Sequence, residues 1–319
     1  MNPLIGLIEF HLTGHLSGYM QLKRRLPKMH PIIFITAIIL VGLWLQWAWR
    51  TPDIDQLFFS HSRFLLLGIC GAIFANATGA GGGVIFIPAF SALGFSPSEA
   101  ISTSFLIQCF GMTAGSMTWC HYYLKQHHQD DSWQGFVIMV ACCALFSIAG
   151  LWTSQFASLS APVSLHVSFS IFSIILGAII ILNSRKNTRD KPLTSFKHSP
   201  INDCIMLSGL SFVGGIITAW LSVGVGEIVV IYLMLRGYCT KLAIATGVVV
   251  SAITVWSATP ITLSTDSAAN FEVLLFAGPG ALLGGLIAKR IALFFSVIKL
   301  KIFFALWIML TGLVMIIVA

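Results

Sequence analysis

Charged side chains are scarce in this sequence. They account for 9% of its 319 residues, whereas a typical soluble domain has about 25%. Hydrophobic residues make up 57% of the chain, and the mean hydropathy is +0.90. This composition excludes an ordinary soluble protein. It predicts an integral membrane protein that has the lipid bilayer as a partner and does not bind nucleic acid.

The patterns that mark enzymes and metalloproteins are missing as well. The sequence contains neither a His-Glu-x-x-His pair nor a recognisable nucleophile with its base, so we expect no enzyme, no cofactor and no bound metal. Its seven cysteines have no regular spacing, which is typical of small apolar residues rather than of a disulfide framework. The first thirty residues lack the cleavage pattern of a signal peptide, and residues 4–22 are compatible with an amphipathic helix.

One glycine-interrupted apolar segment occurs twice. The first copy contains the glycine-rich run 79–83 and the second contains 222–226, and an offset of 143 residues superimposes the two copies without a gap. Nine of the 34 positions from 71 to 104 are identical to their partners in the second copy. Duplicated halves with interrupted hydrophobic segments at matching places are typical of secondary transporters that bind substrate at the interruptions.

Apolar runs long enough to cross a bilayer recur along the chain. We predict spanning helices at 31–49, 100–119, 133–152, 163–182, 242–258, 270–288 and 300–318. Two longer stretches, 63–93 and 203–235, contain the glycine-rich runs. As one helix, the first of these would measure roughly 46 Å, against a hydrocarbon core of about 30 Å. Each stretch therefore either tilts strongly or turns back at its glycines.

The distribution of Lys and Arg distinguishes two topologies. If both long stretches form a V with its two ends on one face, sixteen basic residues lie in the cytoplasm and two lie outside. If both stretches cross fully, the split is ten to eight. The positive-inside rule favours the V, which puts the N-terminus in the cytoplasm and inverts the second half relative to the first. Nine full crossings remain the alternative.

The predicted fold is therefore all-α, with two inverted repeats and one extra spanning helix at the N-terminal side. Each repeat is a glycine-broken re-entrant or discontinuous helical hairpin followed by three spanning helices. The predicted units are a cytoplasmic segment at 1–30, the extra helix at 31–50, repeat 1 at 63–183, a basic cytoplasmic linker at 184–202 and repeat 2 at 203–319.

A family resemblance rests on the first copy. The run Gly-Ala-Gly-Gly-Gly at 79–83, followed by Pro88, Gly94 and Ala-Ile-Ser-Thr-Ser at 100–104, resembles the sulfite exporter TauE/SafE family of membrane transporters. The resemblance covers about 63–318. It implies a permease of the bacterial inner membrane that moves sulfite, sulfonates or related sulfur-containing acids. The V-shaped topology places the C-terminus of the chain in the periplasm. The second copy departs from the pattern, because Glu227 stands where the first has Val84, and Ile231 where it has Pro88.

The glycine-rich runs are also candidate anion sites on physical grounds. Glycine lets backbone amides approach a ligand closely, and the first N–H groups of a restarting helix have no intrahelical partners and carry the positive end of the helix dipole. Close packing of helices through small residues is the alternative explanation. The candidate substrate-binding residues are Gly79, Gly81, Gly82, Gly83, Ser102, Thr103, Ser104, Ser222, Gly224, Gly226, Thr246, Asn76 and Gln108.

Glu227 is the most informative single residue. It lies beside the second glycine-rich run, at a depth where ionisable side chains are rare and usually face a cavity. Three roles are open: a proton-coupling carboxylate, a local helix cap, or an occupant of the second half-site that leaves repeat 1 as the substrate pocket. Two functions compete with transport for the protein as a whole. They are an anion channel and a non-transporting membrane scaffold or assembly factor. The sequence also leaves the oligomeric state open between a monomer and a homo-oligomer.

Overall fold

The computed structural model describes residues 31–52, 54–184, 200–264, 267–295 and 297–318, and all regular elements in these ranges are helical. The predicted segment 1–30 and most of the predicted linker lie outside the described residues. The helices are α1 (Pro31–Arg50), α2 (Ile54–His61), α3 (Arg63–Thr78), α4 (Gly83–Ala92), α5 (Pro97–Tyr122), α6 (Phe136–Phe156), α7 (Leu165–Ser184), α8 (Pro200–Leu221), α9 (Val225–Leu235), α10 (Thr240–Thr262), α11 (Phe271–Phe294) and α12 (Val297–Val318).

The long helices match the predicted apolar runs. Within the described residues, five are long and apolar enough to cross a membrane: Asp131–Phe156, Leu165–Leu182, Pro200–Leu221, Thr240–Thr262 and Phe271–Phe294. A sixth is added if α2 and α3, which meet at a bend of 55°, count as one span. The other predicted spans fall on α1, α5 and α12. The all-helical membrane fold expected from composition is therefore confirmed.

Both long apolar stretches are broken at their glycines. Residues 79–82 separate α3 from α4 and form the first break, and residues 222–224 separate α8 from α9 and form the second break. Gly79 and Ser222, which match at the repeat offset, both have positive φ angles, of 85° and 57°. A left-handed residue ends an α-helix because it turns the chain away from the helical path. The last glycine of each glycine-rich run, Gly83 and Gly226, already belongs to the following helix, α4 or α9.

Residues at the far ends of each broken stretch meet in space. The ring of Phe64, near the start of α3, lies 6.5 Å from the ring of Phe90, near the end of α4. In the second stretch, Arg236 Nε, directly after α9, donates a hydrogen bond of 2.9 Å to Asp203 Oδ1, near the start of α8. The two outer ends of each broken stretch therefore lie side by side.

The two halves of the chain are joined by exchanged helix pairs. Helix α3 of the first half packs along α11 of the second, and α8 of the second half packs along α6 of the first. These contacts are backbone to backbone: a Cβ added at Gly280 would lie 2.1 Å from Leu65 O, and one added at Gly150 would lie 2.0 Å from Phe212 O. Small residues permit this approach, as is common between membrane helices. Helices α5 and α10, and likewise α7 and α12, also pack against each other.

Candidate functional site

The two breaks meet at the side chain of Glu227. Its Oε1 accepts a hydrogen bond of 2.7 Å from Gly81 N in the first break, and its Oε2 accepts one of 2.8 Å from Gly224 N in the second. The side chain is completely buried. Gly81 and Gly224 are partners in the sequence repeat, so one carboxylate joins the equivalent amides of both halves.

The position of Glu227 follows from the local helix. It is the third residue of α9, and an acidic side chain there reaches back to the backbone N–H of its own N-cap residue, Gly224. The positive end of the α9 dipole favours a negative charge at this place. The bond to Gly81, 146 residues away, is not a feature of a cap and depends on the approach of the first break.

Gln108 on α5 makes a second bridge between the breaks. Its Oε1 accepts from Gly82 N at 2.8 Å, and its Nε2 donates to the carbonyl oxygen of Ser222 at 3.1 Å and to the hydroxyl of Ser222 at 2.9 Å. Ser104, one turn before Gln108 on α5, accepts from the same Nε2 at 3.1 Å and from Ser222 Oγ at 2.9 Å. The amide and hydroxyl groups of Gln108, Ser104 and Ser222 thus form one buried network.

Two further amides, one in the first break and one directly after the second, donate to threonine hydroxyls. Val225 N, the first amide of α9, donates to Thr218 Oγ1 at 3.0 Å, and Ala80 N donates to Thr78 Oγ1 at 3.4 Å. Buried backbone N–H groups are costly to leave without a partner. The side chains of this protein therefore already occupy amide donors that the sequence had assigned to an anion.

A small cavity lies between the two breaks. Its volume is about 10 Å³, and its lining includes Gln108, Thr218, Glu227 and Ser251 together with backbone of both breaks. This is close to the smallest volume that holds one water molecule. Among the residues that line it, Glu227 is the one ionisable side chain. The Ser251 side chain is buried, and its hydroxyl makes no hydrogen bond within the described part of the chain.

Most of the predicted site residues come together here. The hydrogen-bonded group around the cavity contains Gly81, Gly82, Ser104, Gln108, Ser222, Gly224 and Glu227. Two further glycines pack closely against it. A Cβ added at Gly83 would lie 2.3 Å from Ser222 O, and one added at Gly226 would lie 2.3 Å from Ser251 Oγ. A side chain at Gly83 would collide with the backbone of the second break, and one at Gly226 would collide with Ser251 and with Gly79 O of the first break.

Other predicted residues point elsewhere. Thr103 Oγ1 accepts from Asn270 N at 2.8 Å, and Thr246 Oγ1 donates to Leu242 O at 2.9 Å within α10. Asn76 Nδ2 donates to Ala72 O and Gly111 O, at the contact between α3 and α5. Gly79 packs against Val230 and Ile244. Ser102 is half-buried on α5. The described contacts of Thr103, Thr246, Asn76 and Gly79 are those of helix packing.

Two residues of the site, Thr218 and Ser251, were not among those predicted. Ser251 is the repeat partner of Gln108, since the offset of 143 connects the two positions. Because Gln108 was a predicted site residue, this correspondence could have identified Ser251 from the sequence. Thr218 corresponds to Ala75, so the repeat carries no trace of its role, which depends on the turn at the end of α8.

Comparison with known proteins identifies the family. A search of curated proteins and a search of solved structures each found no match. A family model described as sulfite exporter TauE/SafE matches residues 64–315, which is most of the chain and includes both breaks. This is a family of membrane transporters, and the apolar helices agree with it. The chain is a multi-pass membrane protein and belongs to the sulfite exporter TauE/SafE family.

Proposed function

We propose that this protein is a secondary transporter of a small sulfur-containing anion, such as sulfite or a sulfonate, and that the anion binds between the two breaks near the middle of the membrane. The observation that supports this most directly is the convergence of Gly81 N and Gly224 N on one carboxyl group. Backbone N–H groups at helix starts are well suited to anions. Sulfite and sulfonates, like a carboxylate, present at least two oxygens on one atom.

The same proposal includes re-entrant hairpins in an inverted arrangement. If α8 and α9 formed one straight helix, Asp203 and Arg236 would be about 50 Å apart, whereas they are hydrogen-bonded. The contact between Phe64 and Phe90 supports the same geometry in the first half. The exchanged helix pairs α3–α11 and α8–α6 favour a two-fold relation between the halves. The distribution of Lys and Arg favours an axis in the plane of a bacterial inner membrane, with the N-terminus in the cytoplasm and the C-terminus in the periplasm.

Proton coupling through Glu227 belongs to the proposal as well. A fixed carboxylate beside a bound anion repels it, and the repulsion is large where water is excluded. The carboxylate must therefore be neutralised or moved when the anion binds. Uptake of a proton by Glu227 achieves this and links anion movement to the pH gradient.

The test is flux in proteoliposomes that contain the purified protein. We expect saturable uptake of radiolabelled sulfite that responds to an imposed pH gradient in the wild type. In the Glu227→Gln variant, uptake or exchange should persist without that response. Equal gradient dependence in both proteins would leave Glu227 as a structural cap. Flux that neither saturates nor responds to the gradient would favour a channel, and the absence of flux for all anions tested would favour a scaffold.

A further inference from the structure

We propose that the Glu227 carboxylate is a tethered occupant of the anion site, that the transported anion displaces it, and that this anion gains the Ser251 hydroxyl as an additional donor. The inference rests on the proposed function and concerns how its site is emptied and filled. It makes Ser251 a substrate-contacting residue and Glu227 an internal competitor of the substrate.

The first step is the identity of the donors. Gly81 N and Gly224 N are the equivalent amides of the two repeats, and both hydrogen bonds end on the Glu227 carboxylate. An external anion with two oxygens on one atom suits the same pair of donors. The described bonds of this carboxylate are to backbone N–H groups, so its withdrawal breaks no side-chain ion pair. The side chain and the substrate are therefore alternatives for one set of donors.

The second step is space. The cavity beside the carboxylate holds about 10 Å³, which is about one water molecule. A sulfite ion does not fit there while the carboxylate remains in place. Two negative charges in contact, away from water, also repel strongly. The substrate therefore enters the space of the carboxylate and does not bind next to it.

The third step is the hydroxyl of Ser251. The residue is 2% exposed, and the hydroxyl lines the cavity without a hydrogen-bond partner in the described part of the chain. Buried hydroxyls normally have partners, and one without a partner calls for an explanation. Its repeat partner, Gln108, binds Gly82 N in the first break. An oxygen of the incoming anion satisfies the Ser251 hydroxyl, whereas the carboxylate in its present position does not.

The test measures anion binding to the purified wild type and to Glu227→Ala. Formate and acetate are the probes, because each supplies the carboxylate that the variant has lost. Both probes should raise the melting temperature of the variant and leave that of the wild type unchanged, with chloride at equal ionic strength as the control. Sulfite should bind the variant about tenfold more tightly or better, because its internal competitor is gone. Glu227→Gln keeps the shape of the side chain and removes its charge, so it should also bind sulfite more tightly. It keeps the test decisive if Glu227→Ala does not fold. The idea is wrong if neither variant binds sulfite more tightly than the wild type.

Ser251 is tested in the Glu227→Ala background. Adding Ser251→Ala should weaken sulfite binding, whereas adding Ser173→Ala should not. Ser173 is a matched control, because it is also buried with an unpartnered hydroxyl but lies on α7 outside the lining of the cavity. Equal effects of the two substitutions would remove Ser251 from the site. Failure of these binding tests with intact sulfite flux would overturn this inference alone, whereas absence of flux for all anions in the wild type would overturn the proposed function.

Discussion

At the scale of single residues, Glu227 makes one bond that fits a role left open by the sequence and a second bond that none of those roles predicted. Its bond to Gly224 N is that of a helix cap, and its bond to Gly81 N places it in the first half of the protein. A cap alone does not require the second bond. The side chain therefore holds the two breaks in their present positions, whatever it does during transport.

The glycines of the first break should differ in their tolerance to a side chain. At Gly83 a Cβ would lie 2.3 Å from the backbone oxygen of Ser222, whereas at Gly81 the nearest atom would be Gln108 Oε1, at 3.2 Å. We expect Gly83→Ala to lower the melting temperature clearly, since overpacking costs about 1–3 kcal/mol, and Gly81→Ala to lower it less. Leucine at either position should abolish anion flux. Thermal unfolding in detergent and flux in proteoliposomes measure the two effects, and equal loss of stability in the two alanine variants would contradict this reading.

At the scale of helices, the starts of the two short helices depend on side chains from neighbouring elements. The first amide of α9 is bound by Thr218 on α8, and the second break is thereby tied to the helix that precedes it. The first amides of a helix have no partner within that helix, so Val225 N depends on an acceptor from outside α9.

Thr218→Val should therefore destabilise the second break. The substitution keeps the shape of the side chain and leaves Val225 N without its partner, so we expect a loss of about 1 kcal/mol or somewhat more. Thr153→Val is the control, because the Thr153 hydroxyl is exposed and bonds to Ala149 O within its own helix. Thermal unfolding in detergent compares the two variants. A loss for Thr153→Val as large as for Thr218→Val would show that the Thr218 cap is unimportant.

The outer end of the second hairpin depends on Asp203. This buried carboxylate accepts hydrogen bonds from Tyr232, Arg236 and Tyr238 and so ties the start of α8 to the end of α9. Asp203→Asn should lower the melting temperature markedly, because an amide replaces one acceptor oxygen with a donor and removes the charge opposite Arg236. Tyr232→Phe, which removes one of the three bonds, should cost less. Thermal unfolding of the two variants measures the difference. A larger drop in melting temperature for Tyr232→Phe than for Asp203→Asn would contradict this account.

At the scale of the whole molecule, the two halves are packed into each other. Each of the helices α3 and α8 packs along a helix of the other half, and the glycines at these crossings leave no room for a side chain. The first break directly follows α3, and the second directly follows α8. Movement of one exchanged helix pair relative to the other would therefore change the distance between the breaks, which is the distance that Glu227 and Gln108 now span.

The proposed topology can be measured independently of transport. In a variant without its seven cysteines, Asp190→Cys should react with a membrane-impermeant thiol reagent from the cytoplasmic side and Thr265→Cys from the external side. The V-shaped arrangement places the basic linker inside and the loop near 265 outside. Reaction of both positions from one side would rule out this topology. Reaction of each with a permeant reagent serves as the control for accessibility.

The sequence alone defined the features that depend on local properties of the chain. Run length and hydropathy located the long helices, and positive φ is favoured where glycine stands, as at Gly79. The family followed from the motif of the first copy, and the match over residues 64–315 confirmed it. Glu227 stood out because a carboxylate is rare in so apolar a segment.

The pairing of donors and acceptors was fixed only by the three-dimensional arrangement. Successive helical residues point about 100° apart, so of the neighbours Ser102, Thr103 and Ser104 only Ser104 joins the network with Gln108. The bond from Gly81 to Glu227 links positions 146 residues apart, a distance along the chain at which no local pattern carries information. The small cavity beside the unpartnered Ser251 hydroxyl arises in the same way, because it exists only where the two breaks from opposite halves pack together.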